Sequence, residues 1–256
     1  MSRSRTGSYP VTWADYLRQF HDTRAGITDV VIGGARHRGI SPYQWAVQAL
    51  GDRNPVVDMA CGSAPLHRLI TSAVCIGVDS SPAELRLAAR SGAGPLLLAD
   101  SGHIPMAAGS AAAVVCSMSL QILHPLERSL AEAARLLRPG GVFVALLPAD
   151  GPLSLRDRYR YARLLVALRR RRLGYPNDRA LADAVPLFHA HGLEIVHDER
   201  RRFGLDTATV GDAFVRSLYL PGGSPGRLEA AGRLARGWAG HQLGIPVRRI
   251  VATRRS

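Results

Sequence analysis

Lysine is absent from this chain: all 33 of its basic residues are arginine. Arginine codons are richer in G and C, and both residues carry one positive charge, so the absence reads as coding bias and not as a selected function. Against 20 carboxylates the formal balance is +13. Such a field attracts phosphates, anionic lipids and acidic ligands, but by itself it says little about nucleic acid. Long apolar runs are missing too. None approaches the roughly 18–20 residues that span a bilayer, and the opening MSRSRTGSYPVTW lacks the apolar segment of roughly 7–15 residues that marks a secretory signal. A soluble, cytoplasmic protein is expected. Cysteine is scarce: Cys61, Cys75 and Cys116 form an odd set without metal-ligand spacing, so no metal site is expected. Each lies in or beside an apolar run, where a free thiol acts as a small hydrophobe, and a reducing compartment excludes a disulfide framework.

What is present is 256 residues, 46% of them hydrophobic, enough for one α/β domain with a sizeable core. Strand candidates are PVVDMA (55–60), VCIGVD (74–79), PLLLA (95–99), AAVVCS (112–117), GVFVALLP (141–148), LEIVHDE (193–199) and PVRRIVATR (246–254). The early ones are continuously apolar, as parallel strands covered on both faces require. Helix signals fall between them. Ser81 and Pro82 open AELRLAARSG as N-cap and first residue, and Gly92 stops it. LERSLAEAARLL (126–137) ends at Arg138-Pro139-Gly140-Gly141. This alternation predicts a doubly wound, Rossmann-like sheet with its ligand at the carboxyl ends of the strands.

Residues 1–50 do not follow the alternation. They hold Tyr9, Trp13, Tyr16, Phe20, Tyr43 and Trp45 and the glycine-rich IGGARHRG (32–39). They read either as a helical cap over the sheet's carboxyl edge or as an extension covering a sheet face. We therefore separate a cap at 1–50 from a main domain at 51–256.

The stretch VVDMACGSAPLHRLI (56–70) buries two valines, presents Asp58 and then strips away side-chain bulk. Small residues let backbone N–H groups approach a ligand closely. Asp58, Asp79 and Asp100 each end a strand candidate and stand 21 positions apart. Neighbouring strand tips would bring all three carboxylates to one crevice. An acidic residue ending the second strand, about 20 residues past a small-residue turn, suits ribose hydroxyls.

VVDMACGSAPLHRLI resembles the first motif of class I S-adenosylmethionine-dependent methyltransferases, and IGVDSSPAELRLAA resembles their second. The span from LLLADSGHIPMAAGS through LLRPGGVFVALLP is similar to the rest of their core, so the resemblance covers about 54–148. It implies about seven mostly parallel strands with an antiparallel final strand, and S-adenosylmethionine as cofactor. Carried over, it implies that Ala60, Gly62 and Ala64 line the turn near the methionine part. Asp79, with Ser80 beside it, would take the ribose, Asp100 the adenine amino group and the Ser101 backbone the ring. Asp58 would orient the turn, and Ser117 and Met118 would stand near the transferred methyl. The chain departs from Gly-x-Gly-x-Gly with Ala-Cys-Gly-Ser-Ala followed by Pro65, which narrows the expected methionine pocket.

A hydroxyl acceptor needs a general base and a carboxylate acceptor does not. His124, in LQILHP, and His103, in DSGHIP, follow strand ends on the ligand side and are the candidate bases; His21 and His37 rank below them. The arginine-rich 154–172, within a basic helical insertion at about 152–180, predicts an apolar stripe of Leu155, Tyr161, Leu164, Leu165 and Leu168. Its arginines read as a solvated face, a clamp for an anionic acceptor or a peripheral membrane contact, and Arg200–Arg202 extends the patch. The leading reading is methyl transfer through oxygen to a small acceptor, neutral or anionic. An RNA acceptor is disfavoured, because no nucleic-acid module and no Asn/Asp-Pro-Pro-Tyr/Phe motif is present. A non-catalytic binding protein of the same fold is the third reading, and a nicotinamide enzyme is disfavoured for want of Gly-x-Gly-x-x-Gly.

Overall fold

Among the described residues, seven strands form one sheet: β1 (Val56–Met59), β2 (Cys75–Asp79), β3 (Leu96–Leu98), β4 (Ala111–Ser117), β5 (Leu137–Pro148), β6 (Leu193–Leu205) and β7 (Leu243–Arg254). The computed structural model describes residues 12–70, 74–238 and 240–255; Tyr9 lies outside them. The strand order is β3-β2-β1-β4-β5-β7-β6. β1 to β5 pair in parallel, and β7 runs antiparallel to both β5 and β6. The order reverses beside β1, which opens the crevice where such sheets bind ligands.

The continuous apolar runs are explained by two cores. Val56, Ala113, Val115 and Val144 face one side; Val57, Val114, Cys116 and Phe143 face the other. Helices α4 (Pro82–Arg90), α5 (Leu126–Leu136) and α8 (Ala184–Ala190) lie among the crossovers and pack on strands. In α4, Ser81 caps the helix by accepting the Glu84 N–H, and Pro82 holds the first position. The expected turn at 138–141 belongs to β5, where its exposed residues bulge out and shift the register between Ala111 and Ala113. Cys61, Cys75 and Cys116 are buried, and burial pushes all three thiols up, which keeps them unreactive hydrophobes.

Residues 12–50 hold three helices. α1 (Trp13–Arg24), capped by Thr12, crosses the carboxyl edge. Its Phe20 stacks on Tyr219 at 4.3 Å, and the Trp13 indole N–H donates to the Ile122 carbonyl at 3.0 Å. α2 (Ile27–Gly34) packs on α9 (Thr207–Ser217). α3 (Pro42–Gln48) covers a sheet face and buries Trp45 completely.

α6 (Leu155–Leu168) and α7 (Asp178–Ala182) occupy the 152–180 segment, and α10 (Pro225–Arg236) packs against α6 and α9. Two sequence expectations fail here. Leu155 is 85% exposed and leaves the stripe, while Leu164 and Leu168 are buried. Arg200–Arg202 does not extend an open basic patch, because β6 continues to Leu205 and carboxylates of β6 and α6 pair with the three arginines. Arg200 pairs with Asp198, Arg201 with Glu199, and Arg202 with Asp157 at 2.6 Å. The buried Arg248 and Arg249 of β7 meet Asp198 and Glu199 in turn.

Candidate functional site

β1, β2 and the turn that follows β3 deliver their aspartates to one cavity of about 810 Å³, whose wall includes Asp58, Asp79 and Asp100. The three are not equivalent. Asp58 is 1% exposed and neither carboxylate oxygen has a hydrogen-bond partner. Burial, reinforced by the charge of Asp79, raises its acid group well above the usual range. Asp79 accepts the N–H of Gly62 on Oδ2 and of Ser81 on Oδ1, both at 2.8 Å. Burial raises its carboxyl as well, partly offset by those two N–H groups. Asp100 is exposed and accepts the Gly102 N–H at 2.7 Å.

The turn after β1 keeps a left-handed backbone at alternate positions: Ala60, Gly62 and Ala64 all have φ of 55°. An alanine there is strained by roughly 1–2 kcal/mol, so the turn geometry is maintained against local preference. Ala60 and Gly62 line the cavity. Ala64 does not: it is 1% exposed and packs with Cys61 and Ala88 in a small apolar cluster, which corrects its expected place at the ligand. Pro65 does reach the wall, as do Ser80, Ser101, Ser117 and Met118. The Ser117 hydroxyl is buried without a partner, and Ser101 Oγ meets Ser129 Oγ at 2.9 Å.

Of the four histidines weighed, His124 stands exposed at the cavity rim. His103 is exposed and outside the cavity wall, because its N–H closes a tight turn back to the Asp100 carbonyl. His37 is also remote, its Nδ1 bound to the Arg202 carbonyl and its ring against Phe203. His21, ranked low, lines the cavity. Its Nδ1 lies 2.9 Å from Glu84 Oε1 and its Nε2 3.3 Å from the Tyr219 hydroxyl. Glu84 is 4% exposed, and its second oxygen accepts the Gly26 N–H at 2.9 Å. Gly26 has φ of 77°, and a Cβ there would sit 2.5 Å from the tip of the Leu87 side chain, so glycine makes this approach without backbone strain or a shift of Leu87. Burial keeps the Tyr219 phenol raised, hence protonated at neutral pH.

Tyr219, Met118 and Thr28 also line a second cavity of about 290 Å³. Its wall is mostly apolar, with Ile32, Leu165, Phe214 and Ile245, and Arg171 and Arg172 at its polar side. The first cavity offers carboxylates and two unpartnered polar groups, Asp58 and Ser117. Such a wall suits a ligand that brings hydroxyl donors and a positive charge. An adenosyl sulfonium amino acid has both, so the residues fit it.

Residues 57–145 match the model of a family described as methyltransferase domain. The chain is similar, at 34% identity over 114 residues, to an uncharacterized chloroplastic methyltransferase of Arabidopsis thaliana (39% of this chain, 32% of that protein). It is 36% identical over 113 residues to trans-aconitate 2-methyltransferase of Deinococcus radiodurans (41% of this chain, 43% of that protein). The alignments span less than half of either relative. A solved phospholethanolamine N-methyltransferase 2 of Haemonchus contortus, with phosphomonomethylethanolamine and S-adenosylhomocysteine bound, has a similar fold. It is 14% identical with a TM-score of 0.58, over 96% of this chain and 61% of that one.

Proposed function

We propose that this chain is a class I S-adenosylmethionine-dependent methyltransferase, a reading supported by the methyltransferase-domain match and the two methyltransferase relatives, and that it moves a methyl group to an oxygen of a small, largely apolar acceptor. The observation that carries this reading is the pair of neighbouring cavities that share Thr28, Met118 and Tyr219 in their walls. One is walled by the three aspartates and the other is apolar. We assign Asp79 and Ser80 to the ribose, Asp100 and Ser101 to the adenine, and Asp58, Ala60, Gly62 and Ser117 to the methionine end. Bound there, S-adenosylmethionine supplies an electrophilic methyl group on a cationic sulfur. The protein's part is to hold the acceptor oxygen in line and to exclude water, which α1 does as a lid over the site.

An acceptor seated in the apolar cavity presents its reacting oxygen beside Tyr219, with Arg171 and Arg172 available to an anionic end. A carboxylate needs no base, and the similarity to trans-aconitate 2-methyltransferase supports a carboxylate acceptor. A hydroxyl acceptor would pass its proton to Tyr219 as the Tyr219 proton moves to His21 Nε2, with Glu84 balancing the imidazolium. His124, exposed at the same rim, is the other candidate base. The enzyme is read as cytoplasmic. An RNA acceptor is less favoured, since the arginines of β6 and β7 are spent on internal carboxylates.

The test is transfer of a radiolabelled methyl group from S-adenosylmethionine to a panel of apolar carboxylic acids, phenols and alcohols, with RNA as a further arm. Label in an alkali-labile ester supports a carboxylate acceptor and label in a stable ether supports a hydroxyl. Label only in RNA, or cofactor binding without any transfer, contradicts the proposal.

A further inference from the structure

α6 has a second, outward face that the fold leaves uncovered. Leu155, Tyr159 and Val166 are 85%, 63% and 77% exposed, and Ala162 between them is exposed too. At 3.6 residues per turn these four fall within about 60° of arc. Exposed arginines border the stripe on both sides, Arg156 and Arg163 on one and Arg158 and Arg169 on the other. The Arg163 guanidinium lies 5.9 Å over the Tyr159 ring, which keeps it beside the stripe. Asp157, the one carboxylate of the helix, is turned inward onto Arg202 and the Gly244 N–H. The outward face of the helix is therefore apolar along its middle and positive along both edges.

We infer that α6 docks this protein on an anionic lipid surface. A narrow apolar line on a convex helix enters the acyl boundary, while flanking guanidinium groups reach back to lipid phosphates. Charge complementarity selects this occupant. The arginines on both edges match a continuous negative plane, and the net charge of +13 adds attraction at longer range. Nucleic acid would leave Leu155 and Val166 without a role, because single strands are held by aromatic platforms in grooves. The inner side of α6, through Tyr161 and Leu165, lines the apolar cavity, so docking would place that cavity close to lipid. The inference does not depend on methyl transfer.

The experiment is co-sedimentation of the full chain with vesicles of phosphatidylglycerol and phosphatidylcholine in equal parts, and with phosphatidylcholine alone. The intact protein is expected to bind the mixed vesicles and not the zwitterionic ones. L155D combined with V166D alters exposed positions only, and unchanged thermal unfolding shows that it folds. It is expected to lose binding at least about tenfold, the effect of withdrawing apolar side chains from lipid. R158Q combined with R163Q is expected to weaken binding and to make it less sensitive to salt. Absence of binding to the mixed vesicles overturns the inference. So does binding unchanged by L155D/V166D, or displacement of the vesicles by single-stranded RNA with equal affinity for both proteins.

Discussion

The backbone N–H of Gly62 donates to Oδ2 of Asp79 at 2.8 Å, so the turn that leaves the first strand is fastened to the carboxylate that ends the second. Ser81 N–H occupies the other oxygen. Asp79 is thus a structural latch as well as a wall of the cavity. Asp79→Ala leaves two N–H groups without their acceptor and is expected to lower ligand-free stability by about 1–3 kcal/mol, roughly 2–12 °C in melting temperature. Asp79→Asn keeps one acceptor oxygen and is expected to lose less. Differential scanning calorimetry of the two variants without ligand checks the order.

Asp58 has no N–H partners of this kind. Its acid group is raised in the folded protein, so the folded state holds that proton more tightly than the unfolded chain. Ligand-free stability therefore falls as pH rises from about 4 toward the raised value. Asp58→Asn removes this penalty, and the expected result at neutral pH is a gain on the order of 1 kcal/mol, a few degrees. Melting curves across pH test it; equal stability of the two proteins at neutral pH would count against a buried, unpartnered Asp58 carboxyl.

Asp157 behaves conventionally. Burial alone would raise its carboxyl, but hydrogen bonds from Arg202, Ser154 and the Gly244 N–H outweigh burial and hold it well below the usual range. Its contribution is complete above about pH 4 and is lost as pH falls through the depressed value. Because Arg202 is 34% exposed, Asp157→Asn is expected to cost about 2 kcal/mol at neutral pH, less than a fully buried pair. Its melting temperature should lie about 4–8 °C below the parent, a gap that narrows at strongly acid pH.

The left-handed turn after β1 gives a paired substitution. Ala60 and Gly62 share φ of 55°, and a Cβ at Gly62 would meet nothing nearer than Glu84 at 3.7 Å. Gly62→Ala is therefore expected to cost about 1 kcal/mol through backbone strain alone, while Ala60→Gly stabilises by up to about 1 kcal/mol. Chemical denaturation of both proteins measures the difference.

Asp58, Asp79 and Asp100 were legible in the sequence because apolar runs locate strand ends, and parallel neighbours place those ends together. Ser81-Pro82 announced α4 for a similarly local reason. His21 was not legible at its true weight, since its partners Glu84 and Tyr219 lie 63 and 198 positions away. Glu84 follows Ser81 by three residues, the pattern of a reciprocal helix cap. Its carboxylate instead turns to His21 and Gly26, because Asp79 already takes the Ser81 N–H. Ala64 and His103 were misplaced for want of side-chain direction: spacing sets a residue near a turn, and packing decides which way it faces. Arg200–Arg202 looked like a surface patch because the chain does not show that β6 turns Asp198 and Glu199 onto the first two arginines, and because the partner of Arg202, Asp157, lies 45 positions away.

The most direct measurement is calorimetric titration of S-adenosylhomocysteine into the parent protein and into the single variants D58N, D79N and D100N. One saturable site per chain is expected in the parent, with affinity lowered at least about tenfold in each variant, the loss of one hydrogen bond to a charged group. No binding to the parent, or three variants that bind as the parent does, would contradict a shared adenosyl site.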